Sequence, residues 1–138
     1  MVKQVFLLLL ALVTGSIANM GVLSLIGWWI PSPIPADATP EVMAGLMKNF
    51  EWYHFPGPWL AHASGTFVGA LVVRKWGAFP RAFPLVVAGF FFLGGLAMVL
   101  MLPGTPWLFI LVDLLLAYFP MAGLSIWLVP SVSPKSSF

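Results

Sequence analysis

Residues 82–102 read AFPLVVAGFFFLGGLAMVLML, and none of them carries a charge or a side-chain amide. About 20 apolar residues are what a helix needs to cross the ~30 Å hydrocarbon core of a bilayer. Backbone groups find no water there, so only helices or closed barrels can cross. The two-residue alternation of a barrel strand is absent, which leaves a helix. Working outward, residues 5–30, 55–73 and 106–129 are also long and predominantly apolar. The sequence therefore predicts an all-α, four-helix transmembrane bundle.

Composition agrees. The 138 residues are 61% hydrophobic and only 7% charged. A soluble domain carries about 25% charged residues, so this chain cannot clothe a water-facing surface. Its length is used up by one integral membrane domain over residues 1–138. The net charge of +2 comes from too few basic groups to hold nucleic acid. The chain has no cysteine, which removes disulfides, thiol chemistry, iron–sulfur clusters and cysteine-bound zinc. Lys3, the apolar run after it and Ser16-Ile17-Ala18 resemble a signal peptide. The apolar stretch continues to Trp29 with no polar mature start, so an uncleaved first span is expected.

Charge sets the expected orientation. With four spans, Lys3, Arg74, Lys75, Arg81 and Lys135 fall on one side and Lys48 on the other. Basic loops face the cytoplasm, which puts both termini there and makes the chain a multi-pass protein of the inner (plasma) membrane. Asp37, Glu41, Glu51 and Asp113 lie on or near the opposite side, and the tryptophans gather towards the two boundaries as interfacial belts. Pro31, Pro33 and Pro35 stop the first span. Thr39-Pro40-Glu41 then reads as a helix start, with Thr39 as cap and Glu41 complementing the dipole. Residues 40–54 place Met43, Leu46, Met47 and Phe50 on one face, as in a short interfacial helix between the first and second spans. An ordered loop packed on the bundle is the alternative. Pro120 leaves the carbonyl of Leu116 without its usual donor and should kink the last span.

Few residues could carry chemistry. Asp113 sits about two turns into the fourth span, where a carboxylate is costly and must find a partner. His62 starts the second span at a similar depth on the same side, so an Asp113–His62 contact is expected. Glu51 and His54 could extend it outward. Asn19, inside the first span, could join the same polar site or act as interhelical glue. Tyr118 lies five residues beyond Asp113, so the two point apart on an ideal helix unless the Pro120 kink intervenes. Ala61, Gly65 and Gly69 recur every four residues and mark a helix-packing face, within the chain rather than between copies. Gly89, Gly94 and Gly95 give the third span a comparably smooth surface. His54, His62, Asp113 and Glu51 lack the spacing of a metal site, and two histidines flanking one short connection do not suit haem. Neither a P-loop nor a nucleophile elbow is present. No catalytic residue and no metal is expected.

The stretches Gly15–Met20, Leu60–Ala70, Leu93–Pro103 and Asp113–Met121 resemble a group of small, uncharacterised four-helix inner-membrane proteins of Bacteroidetes-type bacteria. The resemblance implies the fold and the inner membrane, and brings no activity with it. Gly123-Leu124-Ser125-Ile126-Trp127 is bulkier than the small-residue ending common in that group.

Three functions follow from these readings. With so little mass outside the membrane, the foremost is a non-enzymatic accessory or structural subunit of a larger membrane complex, its partners being the bilayer and other membrane subunits or itself. The second is a small oligomeric transporter or channel built on Asn19, His62 and Asp113. The third is a lipid- or quinone-binding protein. No cofactor is expected, a bound lipid aside.

Overall fold

The computed structural model describes residues 2–35, 37–76 and 82–129. These form α1 (Val2–Gly27), α2 (Pro40–Leu46), α3 (Pro56–Trp76), α4 (Ala82–Met101), α5 (Trp107–Leu116) and α6 (Phe119–Leu128), with no strand among the described residues. Three helices are long and apolar enough to cross a membrane: α1, α4, and α5 with α6 taken together as Trp107–Leu128. That is compatible with a multi-pass membrane protein.

The remaining long helix, α3, is central. Its 21 residues would extend about 31 Å at 1.5 Å per residue. It carries His62, Ser64, Thr66, Arg74 and Lys75, so it is less apolar than its neighbours. It is also the most enclosed, with α1, α4 and α6 packed around it. Its neighbours leave large apolar side chains exposed, whereas α3 meets mainly protein.

α1 and α3 run antiparallel in close contact. A Cβ on Gly65 would lie 2.8 Å from the Gly15 carbonyl, and one on Gly69 would lie 2.8 Å from the Ala11 carbonyl. Leu7, Ala11 and Gly15 are the buried residues of α1, at four-residue spacing that meets Ala61, Gly65 and Gly69 of α3. Lipid supplies no hydrophobic drive between helices, so close backbone approach through small residues provides the attraction. The same register puts Lys3 near the Arg74–Lys75 end of α3. Arg74 is buried and its Nε donates to the Val129 carbonyl at 2.7 Å, capping the end of α6. Arg81, Lys135, the expected turn at 77–80 and the tail 131–138 lie outside the described residues.

Local chemistry explains the boundaries. Pro56 and Pro58 begin α3, where the first turn leaves its N–H groups unbonded anyway. Gly104 turns the chain between α4 and α5 with φ +99°, a left-handed conformation that glycine adopts without strain. Two expectations are modified. Residues 40–54 are not one interfacial helix: α2 ends at Leu46 and is followed by 3-10 turns at Met47–Asn49 and Trp52–His54. Met43, Met47 and Phe50 face a cavity in the bundle. The last span is interrupted, with Ala117 and Tyr118 outside both helices. Pro120 has no N–H for the Leu116 carbonyl, and Tyr118 takes non-helical angles of φ −115° and ψ −81°.

Candidate functional site

The break before α6 assembles a polar cluster. On an ideal helix, positions five apart point about 140° away from each other. At this break the Tyr118 hydroxyl instead donates to Asp113 Oδ2 at 3.1 Å. His62 Nδ1, from α3, lies 2.9 Å from Asp113 Oδ1 and 3.0 Å from Oδ2. It is also 3.1 Å from the Tyr118 hydroxyl. Gly95 of α4 leaves room for this phenol, since a Cβ there would overlap the Tyr118 hydroxyl and sit 2.8 Å from its Cζ.

The network assigns the histidine tautomer. A carboxylate only accepts hydrogen bonds, so His62 Nδ1 carries the proton that meets Asp113. In the neutral ring, Nε2 is then a free acceptor. It has no protein partner among the described residues, and it is not sealed from the surroundings as Trp59 Nε1 is. Exposure differs sharply across the pair: the side chain of His62 is 25% exposed and that of Asp113 is 3%. Asp113 is thus the buried anchor and His62 the face presented outward.

That face borders a cavity of about 310 Å³. Its walls are mostly apolar, drawn from the ends of α1 and α4, the starts of α3 and α5, and the α2 segment above them. Such a volume lies at the lower end of the ~300–1,000 Å³ typical of small-molecule sites. Asn19, His62 and Asp113 all border it. Asn19 does not bond to the pair, and its amide has no partner among the described residues. His54 borders the cavity too, but its Nδ1 accepts the Glu51 N–H at 2.9 Å. Glu51 is exposed and serves the local capping box instead of the His62–Asp113 pair. Ala61 lines the cavity floor, while Gly65 and Gly69 belong to the α1–α3 contact.

In sequence, Tyr118 points away from Asp113 unless the Pro120 kink intervenes, and the break brings it into the site. Its signal was Pro120, whose consequence for the residue two positions earlier can be read only once the break is seen. Gly95 shows its role only as a missing Cβ beneath the phenol. Gly89 and Gly94, equally conspicuous in sequence, meet nothing within 4 Å. Thr14, Ser64 and Thr66 satisfy their hydroxyls on carbonyls one turn back and add nothing to the cavity.

The fold and site define a class: a helical protein with three helices long and apolar enough to cross a membrane and a polar triad beside a mostly apolar cavity. Comparisons with protein families, curated proteins and solved structures find no match for the chain.

Proposed function

We propose that the protein is a four-span inner-membrane protein, both termini cytoplasmic, that holds an amphipathic lipid or quinone in the cavity between α1, α3, α4 and α5. The enclosure of α3 by the three apolar helices supports a fourth crossing. The sequence resemblance to small bacterial inner-membrane proteins points to the same setting. One observation carries the ligand reading: Asn19 and His62 line a mostly apolar cavity, and the Asn19 amide and His62 Nε2 have no protein partner among the described residues. Neither group is sealed from its surroundings, so both are free to pair with a bound head group. The Met43, Met47 and Met98 side chains on the same wall adapt easily to a flexible tail.

Native mass spectrometry of the full chain, extracted in mild detergent, tests this reading. The expected result is one retained amphiphile per chain, lost from Asn19→Leu. Foreign subunits in fixed ratio with no retained amphiphile would instead return the accessory-subunit role. The channel reading has less support, because the cavity is walled at its inner end by the α1–α3 contact at Gly15 and Gly65.

A further inference from the structure

The head group can be narrowed by asking which charges and hydrogen-bond roles the cavity presents. No lysine or arginine lines it among the described residues, and Asp113 lies in its wall. A phosphate seeks cationic or clustered N–H donors and would be repelled by that carboxylate. With Nδ1–H held by Asp113, His62 offers an acceptor at Nε2 to a ligand hydroxyl. Asn19 offers both an amide donor and a carbonyl acceptor. These roles match an uncharged oxygen function.

A ring is favoured over an aliphatic alcohol by the aromatic side of the cavity. His54, Phe50, Phe55 and Phe109 form a continuous run, with successive ring centroids 5.2, 5.6 and 4.9 Å apart. Phe50, His54 and Phe109 line the cavity directly. Offset or edge contacts with such rings hold a planar guest.

The tail has a route. α1 and α4 approach each other at Gly15 and Phe91, deeper than the cavity. Further along, Leu23 and Ile26 of α1 stand across the cavity from Met98 and Val99 of α4. The two helices have few direct contacts, so an apolar chain can lie between them.

We infer that the cavity selects an uncharged, oxygen-bearing aromatic head group of the quinone or hydroquinone class over a phosphate head group. This inference rests on the ligand reading above, and the experiment separates the two. The purified full chain is titrated with decyl-benzohydroquinone, decyl-benzoquinone and decyl phosphate, which share one tail, and binding is read by native mass spectrometry. Both ring compounds are expected to bind more tightly than decyl phosphate, the hydroquinone by at least about tenfold, because the quinone has no hydroxyl to donate to His62 Nε2. Asn19→Leu should cut that preference several-fold without unfolding the chain, since the amide has no hydrogen-bond partner to lose and leucine keeps the Cβ that packs at Gly65. The pair variant His62→Leu with Asp113→Leu removes both members together and should also reduce it. Decyl phosphate binding as tightly as the ring compounds would overturn the head-group inference alone. A preference unchanged in Asn19→Leu and in the pair variant would overturn it as well. Failure of all three probes to bind would remove the ligand reading itself.

Discussion

The two ends of this bundle are built on opposite rules. Around Gly15, Gly65 and Gly69 the backbones of α1 and α3 touch, and Val87 and Phe91 of α4 close over the glycines. Around Asn19, His62 and Asp113, α1 and α3 stay in contact as far as Ile26 and Gly57, but polar groups border an open cavity. Asn19 marks the transition: its Cβ packs at Gly65 on the seam, while its amide borders the cavity. The seam has nothing to offer a ligand, and the cavity gives up packing that a purely structural bundle would keep. The contrast separates residues that hold the helices together from those free to serve a guest. His62 and Asp113 belong to both sets.

The largest expected effect therefore falls on the pair. His62→Leu would leave the buried Asp113 with only Tyr118, and stranding one partner of a buried pair costs about 3–5 kcal/mol. Adding Asp113→Leu should recover most of that loss, because two apolar side chains can replace a buried pair at little cost. Thermal unfolding of both variants in detergent measures the difference. Equal melting temperatures for the single and double variants would show that the pair is not a stability element.

The seam comes next. Gly65→Leu drives a side chain into the Gly15 carbonyl, a backbone atom that cannot move aside, and should cost about 3 kcal/mol. Gly94→Ala is its counterpart, since nothing lies within 4 Å there. That change should be neutral or stabilise the helix by up to about 1 kcal/mol. If both substitutions had the same effect on the melting temperature, the seam would not be the packing core.

Tyr118→Phe probes the junction between the regions with a smaller effect. It removes one hydrogen bond to Asp113 and keeps the ring over Gly95, a loss of about 1 kcal/mol. The same unfolding measurement should place it well below His62→Leu. An effect as large as that of His62→Leu would mean that the phenol, and not the imidazole, satisfies the carboxylate.

Much of this contrast can be read before any coordinates, and the limit has a physical cause. The seam residues are visible because a four-residue repeat of small side chains has one meaning in an apolar helix. Asp113 and His62 can be paired from depth and direction, since span starts on one side share a membrane face. Tyr118 cannot be placed that way, because helix geometry fails at a proline break and the angles at Tyr118 depend on packing. The segment 40–54 misleads for a related reason. Its apolar face is real, but periodicity cannot tell lipid from a cavity as the surface that face will cover.

That segment also supplies the smallest prediction. The Glu41 carboxyl is held below its ordinary value of 4.5, first by its own backbone N–H and then by the Thr39 hydroxyl at the start of α2. A lowered carboxyl value in the folded state gives stability that is complete above the unfolded value and disappears as the pH falls through the lower folded value. Glu41 is exposed, so the effect should stay within α2 and leave the seam untouched. Hydrogen exchange on the full chain, corrected for intrinsic rates, should show amides 42–46 losing protection as the pH falls below the ordinary carboxyl range while those of α3 keep theirs. Glu41→Gln should make α2 protection independent of pH over this range. Because α2 and the turn after it carry Met43 and Met47 over the cavity, a simultaneous loss of protection in α1 or α3 would mean that the cover and the seam form one cooperative unit, and the division between the two regions would fail.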